Sequence, residues 1–149
     1  MDVNDNVIQD IRHFNRFYTK LLGVLDRTVL DTGYSLTEAR VIIEIGMLGQ
    51  CIANNLVDSL KIDRSYLSRV IAKLSKEGLL IKEDSTLDNR SNLISLTAKG
   101  TELYKQLNKK SDEQIVRLLQ GLSEKEIKQL HTSMLLILKK LERINDDSI

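Results

Sequence analysis

Apolar residues recur at helical spacing over most of the chain. Between positions 7 and 30 they lie three and four residues apart, which predicts one long helix whose apolar stripe covers more than one face. Ser35-Leu36-Thr37-Glu38 matches a capping box and predicts a second helix running to about Ile45. A short third helix is expected over 52–60. The first part of the chain is therefore predicted to be entirely helical.

The best-defined helix of the sequence is the fourth, from Arg64 to Glu77. Asp63 is a good N-cap for it, and Gly78 is a natural left-handed terminator. Leu67 and the apolar residues that follow it at helical spacing form one narrow stripe, which predicts a helix buried on one side only.

After this helix the period of the pattern changes. Two short strand-like runs at 79–84 and 92–96, joined by a polar loop at 85–91, predict a hairpin with a long tip. Thr97 caps a fifth helix that continues towards Leu122, and a second capping box opens a last helix. Its apolar stripe is too broad for a terminal helix packed on one side, so a partner chain is expected to cover the excess.

Composition restricts the class of protein. The 149 residues fit one domain, and 42% hydrophobic residues suffice for a core. No apolar run is long enough for a membrane span, the polar N-terminus is no secretory signal, and one cysteine favours a reducing compartment. We expect a single cytoplasmic domain over 1–149, without membrane contact.

Positive charge collects in the middle of the chain. The net charge of +1 is uninformative, but residues 61–100 hold eight Lys/Arg against five Asp/Glu, whereas residues 1–60 are net negative. A nucleic-acid-binding surface is therefore expected in the middle third.

Two short helices joined by a tight turn and followed by a hairpin describe a winged helix-turn-helix. The outer face of the fourth helix carries cations, hydroxyls and one aromatic ring, without a carboxylate: Arg64, Ser65, Tyr66, Ser68, Arg69, Lys73 and Lys76. Arg can bind guanine through two hydrogen bonds, Ser suits several base edges, and Lys and Tyr suit phosphates. The alternative interpretation is an ordinary solvated helix face.

The hairpin tip contains a carboxylate two residues before a guanidinium. Asp88 can pair with Arg90 and hold it extended, and an Arg held in this way suits a narrow minor groove. An incidental surface ion pair is the alternative.

Other chemistry is sparse. No GxSxG nucleophile motif, Gly-rich phosphate loop or metal-ligand spacing is present, so we expect no enzyme, no cofactor and no metal. Arg12, Arg16 and Arg40 are candidates for a pocket that binds an anionic effector, with ordinary ion pairs as the alternative. Cys51 is expected to be a buried structural thiol; a redox sensor would need a stabilised thiolate.

The stretch from Ser35 to Gly100 resembles the multiple-antibiotic-resistance regulator (MarR) family of bacterial transcription factors. The long flanking helices match as well. The resemblance rests on the segments 35–41, 60–69, 74–79, 88–90 and 93–100. The third helix departs from the family pattern, because Cys51-Ile52 stands where a Thr cap is common.

The resemblance implies a mainly α fold of about six helices plus a β-hairpin wing. Residues 34–100 would form the winged helix-turn-helix lobe, and 7–30 with 101–145 the dimerisation helices. It implies a homodimer that binds a pseudo-palindromic operator in double-stranded DNA, usually as a ligand-responsive repressor. Two alternatives stay open: a winged-helix protein-interaction module without DNA binding, and a redox-responsive regulator that depends on Cys51.

Overall fold

A computed structural model describes residues 3–84 and 92–148, although not the side chains of 24–30 and 145–148. The described part of the chain is mainly helical. In chain order its elements are α1 (Asp5–Leu30), α2 (Leu36–Leu48), β1 (Gln50–Cys51), α3 (Ala53–Leu60), α4 (Arg64–Lys76), β2 (Leu80–Asp84), β3 (Asn92–Leu96), α5 (Ala98–Leu119) and α6 (Glu124–Ser148). The predicted fold class, with six helices and a hairpin, is confirmed.

The strands form one antiparallel sheet in the order β1-β3-β2. β2 and β3 are the predicted hairpin, and their register runs from Leu80 opposite Leu96 to Asp84 opposite Asn92. β1 was not predicted. It is only two residues long, and its pairing with β3, in which Cys51 lies opposite Ile94, joins segments far apart in the sequence.

The contacts divide the chain into two compact units, Met1–Asp112 and Glu113–Ile149. The first unit holds the hydrophobic core, which draws on α2, α3, α4, the sheet and the start of α5. Its fully buried large side chains are Val41, Ile42, Ile45, Leu56, Leu67, Leu74, Leu79 and Leu107. The second unit consists of the end of α5 and the whole of α6. The division into a lobe at 34–100 and flanking dimerisation helices stays a prediction.

The turn from α4 into β2 is a Schellman motif. Leu79 N–H donates to Leu74 O at 2.9 Å, and Gly78 N–H donates to Ser75 O at 3.0 Å. Gly78 has φ +79°, which only glycine adopts without strain, and this confirms it as the terminator. The buried side chains of Leu74 and Leu79 tie the end of α4 to the core.

The junction between β3 and α5 closes on this turn. Thr97 is the N-cap of α5, as predicted, since its Oγ1 accepts Gly100 N–H at 3.0 Å. The same hydroxyl donates to Gly78 O at 2.6 Å, and Thr97 N–H donates to Leu79 O at 3.0 Å. A Cβ at Gly100 would lie 2.1 Å from Leu79 O, so only glycine fits this approach. The end of α4, the hairpin and α5 are thereby fixed to one another.

Three predicted helix C-termini shift. α2 continues past Ile45 through Gly46 to Leu48. A Cβ at Gly46 would lie 2.5 Å from the ring of Tyr104, so glycine allows this ring to pack against the helix. α4 ends at Lys76, with Glu77 as its C-cap. α5 ends at Leu119 and not near Leu122, because the chain turns there before the capping box that opens α6.

Two helices present apolar side chains that this chain leaves exposed. On α1 these residues are Val7, Ile8, Ile11, Phe14, Phe17, Tyr18 and Leu22. On α6 they are Met134, Leu135, Leu136, Ile137, Leu138, Leu141 and Ile144. Among the described residues, no helix is long and apolar enough to cross a membrane.

Candidate nucleic-acid interface

α4 is a helix with one buried and one exposed face. Asp63 begins it, and its carboxylate accepts Tyr66 N–H at 3.0 Å. Leu67, Val70, Ile71 and Leu74 are buried in the core. The seven residues predicted to face DNA are all exposed on the other side: Arg64, Ser65, Tyr66, Ser68, Arg69, Lys73 and Lys76. The predicted division of the helix into two faces is therefore correct.

Tyr66 supports Arg69 on this outer face. The guanidinium carbon of Arg69 lies 5.7 Å from the centroid of the Tyr66 ring, which is cation–π distance for residues one turn apart. The ring itself is 41% exposed. The contact limits the conformations of Arg69 and leaves the donors of its guanidinium available at the surface.

Lys73 has a partner that the sequence reasoning did not find. Its Nζ donates to both carboxylate oxygens of Glu38, at 2.8 and 3.1 Å. The Glu38 side chain is 9% exposed and that of Lys73 is 54% exposed, so the pair lies half in water. The two residues join the start of α2 to the middle of α4, and the ammonium predicted to hold a phosphate is already engaged.

Glu38 serves the capping box of α2 at the same time. Its carboxylate accepts Ser35 N–H at 3.2 Å, and Ser35 Oγ accepts Glu38 N–H at 3.1 Å, as the sequence predicted. Burial by itself raises the pKa of Glu38, but the hydrogen bonds from Lys73 and Ser35 outweigh it, and the pKa lies below its ordinary value. The hydrogen bond to Glu38 raises the pKa of Lys73. Both groups are therefore charged at neutral pH.

Arg64 begins the outer face of α4 next to α3. One terminal nitrogen of its guanidinium donates to the side-chain oxygen of Asn54 in the first turn of α3. The start of α3 lacks a side-chain cap at Ile52, whose own N–H donates to Asn55 Oδ1 at 2.9 Å. The side-chain cap that the sequence placed in doubt is thus absent, and only the reciprocal half of a capping box, from Asn55 back to Ile52, is formed.

In the wing, β2 ends at Asp84 and β3 begins at Asn92. The predicted wing residues Asp88 and Arg90 lie outside the described residues. At the base of the wing, Lys99 Nζ donates to Glu77 O at 2.9 Å, which satisfies a carbonyl at the end of α4. Neither the Lys99–Glu77 contact nor the Glu38–Lys73 pair can be predicted from the local spacing of residues in the sequence.

The residues predicted for an effector pocket are not gathered into one site in this chain. Arg12 and Arg16 lie one turn apart on α1 and line a shallow surface depression with Gln9, Asp10 and His13. Arg40 is exposed on α2 and does not line this depression. Within a single chain, the three arginines therefore do not form a pocket.

Cys51 is a buried free thiol. Cys51 is 4% exposed, and its burial, with a smaller contribution from Glu44, raises the pKa of the thiol. A redox sensor needs the opposite shift, so burial supports the structural interpretation. The residues that the structure describes hold no group of three His, Cys, Asp or Glu side chains suited to a metal.

Comparison with known proteins connects this architecture to one family. The sequence profile of the MarR family matches residues 32–91, which run from before α2 through α4 and β2 and end just before β3. The HTH-type transcriptional regulator BilQ of Clostridium symbiosum is 28% identical over 114 residues, which are 76% of each chain. By both comparisons, this chain is similar to the MarR family over its middle part.

Solved MarR-family structures extend the likeness in fold to the flanking helices. Wild-type MarR from E. coli in its apo form superposes with a TM-score of 0.77 at 17% identity, over 93% of this chain and 98% of that one. A MarR-family regulator from Listeria monocytogenes, solved with a 26mer DNA, gives a TM-score of 0.69 at 24% identity, over 95% and 89% of the two chains. The MarR fold therefore covers nearly the whole chain, including α1 and α6, outside the profile match.

Proposed function

We propose that this chain is a MarR-family regulator, a sequence-specific DNA-binding transcription factor that works as a homodimer in the cytoplasm. The observation that carries the proposal is the outer face of α4. From Arg64 to Lys76 it presents hydroxyls, one aromatic ring and cations without a carboxylate, while its other face is fixed in the core. An exposed helix of this chemistry suits the major groove of duplex DNA.

The side chains of α4 divide by chemistry. The residues placed to contact base edges are Ser65, Tyr66, Ser68 and Arg69. Arg69 is the strongest candidate to bind guanine, because the ring of Tyr66 supports its guanidinium. Lys76 is exposed and suits a phosphate. The phosphate contact of Lys73 stays a prediction, and it competes with the ion pair to Glu38.

The wing adds a second contact in this proposal. Arg90, oriented by Asp88, enters the minor groove beside the half-site that α4 occupies. Support comes from the hairpin that leads to it, because β2 and β3 pair along their full length and Thr97 fixes their base to the end of α4.

Exposed apolar helices support the homodimer. α1 leaves Phe17 62% exposed among seven apolar side chains, and α6 leaves seven more exposed. Apolar faces of this length are costly in water and are usually covered by another chain. A second copy covers them symmetrically and places two α4 helices on one duplex, which matches a pseudo-palindromic operator.

The relatives support the DNA partner. The Listeria monocytogenes MarR-family structure contains a 26mer DNA, and BilQ is named as an HTH-type transcriptional regulator. The same architecture suits a repressor that binds an anionic effector and then binds DNA more weakly. The candidate residues for binding this effector are Arg12, Arg16 and Arg40, in a pocket that a partner chain completes.

A selection experiment tests the proposal. Purified protein is incubated with a randomised duplex library, bound duplexes are amplified over several rounds, and the mass of the final complex is measured by light scattering. We expect an inverted-repeat sequence bound by two chains per duplex. A library that stays random after selection would favour the protein-interaction module, and one chain per duplex would contradict the homodimer.

A further inference from the structure

A cavity of about 400 Å³ lies where the starts of α3 and α4 meet the wing strands. Ile71 and Ile94 line its apolar part. Its polar lining comes from four elements, α3, α4, β2 and β3, and comprises Asn54, Arg64, Ser68, Lys82 and Asn92. Sequence reasoning did not find this grouping, because only the fold brings β2 next to the first turns of α3 and α4.

Lys82 reaches the cavity because of the register of the hairpin. Side chains alternate along a strand, so Lys82 shares a face of β2 with the buried Leu80. Directly opposite lies Ile94, which is buried in the core. The stem of Lys82 therefore continues the packed face of the sheet, and its ammonium lies where that face opens to solvent.

Arg64 supplies the second cation from the α4 side. The hydrogen bond to Asn54 holds its guanidinium in place but uses few of its five N–H donors. Among the described residues, two cations and no carboxylate line the cavity. On the same strand face as Lys82, Asp84 lies two residue pairs further out, opposite Asn92, and is not part of the lining.

We propose that this cavity receives one backbone phosphate of the bound DNA, with Lys82 and Arg64 as its charged donors and Asn92 and Ser68 as neutral ones. The inference rests on the proposed function. A phosphate in this cavity contacts α4 and the wing strands at the same time. It therefore fixes the position of α4 in the major groove relative to that of the wing tip in the minor groove. Lys82 thereby becomes a DNA-positioning residue.

The first test is the salt dependence of affinity for the selected duplex. Lys82→Met keeps the apolar stem and removes the charge, so the slope of log Kobs against log salt should flatten by about 0.9 per subunit. Lys105→Met removes one exposed lysine outside the cavity and controls for net charge. Lys82→Arg should restore the wild-type slope. Equal slopes for Lys82→Met and Lys105→Met would overturn the proposal.

The second test locates the phosphate. Single phosphates of the selected duplex are replaced in turn by neutral methylphosphonates, and each duplex is titrated with wild type and with Lys82→Met. At the phosphate that occupies the cavity, neutralisation should weaken wild-type binding severalfold and leave Lys82→Met unchanged. Additive losses at every position would overturn the assignment.

A free anion is the competing occupant, and inorganic phosphate is the probe for it. If phosphate raises the Tm of wild type but not of Lys82→Met, while both bind the selected duplex equally, the cavity binds a free anion and the DNA assignment is wrong. Failure of the proposed function itself looks different, because wild type then binds no selected duplex at all.

Discussion

The Glu38–Lys73 pair gives the sharpest prediction about stability. Glu38→Gln keeps an acceptor for Ser35 N–H, since Gln also completes a capping box, but it removes the charge that Lys73 binds. Breaking a fully buried pair costs about 3–5 kcal/mol, and exposed pairs contribute about 0–1 kcal/mol. Because the carboxylate is 9% exposed and the ammonium 54% exposed, solvent screening places the expected loss between these limits. We expect Glu38→Gln to lower the free energy of unfolding by about 1–2 kcal/mol.

Urea denaturation followed by circular dichroism measures this loss, and a double-mutant cycle with Lys73→Met isolates the pair. We expect the loss from Glu38→Gln to shrink strongly in the Lys73→Met background, because its partner is already absent. Glu38→Ala should cost more than Glu38→Gln, since it also removes the cap. If Glu38→Gln costs the same with and without Lys73, the ion pair does not stabilise the fold and the reasoning fails.

The same pair predicts the pH dependence of stability. The pKa of Glu38 is lower in the folded chain than in the unfolded one, so the unfolded chain binds more protons and stability falls as pH falls. The stability that the carboxylate contributes is complete above its ordinary pKa of about 4.3 and is lost as pH falls through the lower folded value. Denaturation midpoints of wild type and Glu38→Gln should therefore approach each other as pH falls below about 4.3 and stay apart above about pH 5. Parallel curves down to about pH 3 would contradict a lowered pKa.

Three further predictions follow from the site. Gly100→Ala forces a Cβ against the Leu79 carbonyl and should cost about 3 kcal/mol in urea unfolding, whereas Gly121→Ala, whose Cβ meets nothing, should be near neutral; equal effects would refute the tight approach. Asp63→Ala removes the N-cap of α4 and should cost about 1 kcal/mol, which Asp63→Ser should largely restore; an unaltered midpoint in Asp63→Ala would show that the cap is dispensable. Arg69→Ala should reduce discrimination between selected and random duplexes by about 1–3 kcal/mol in anisotropy titrations, and an equal loss on both duplexes would make Arg69 a phosphate contact.

Local patterns sufficed to predict the helices and the capping residues at several of their ends. The spacing of leucines and isoleucines on α4, the caps at Ser35, Asp63 and Thr97, and the terminator Gly78 depend on residues within one or two turns of each other. Such features can be predicted because the interactions that form them are local in sequence.

Contacts between distant segments could not be predicted. Lys73 and Glu38 are 35 residues apart, and periodicity alone places Lys73 among the free surface cations. β1 exists only because β3 pairs with it. Lys82 and Arg64 line the same cavity only because the wing packs against α3 and α4. The sequence predicted which residues are exposed on α4, but not which of them already have partners.

The central claim is that the outer face of α4, doubled in a homodimer, binds duplex DNA through phosphates and base edges. The salt dependence of wild-type affinity for the selected duplex tests it most directly. With two phosphates in each of two subunits, at Lys76 and at the cavity, log Kobs should fall with log salt at a slope of about −3.6 or steeper. A slope near zero, or equal affinity for selected and random duplexes at every salt concentration, would contradict it.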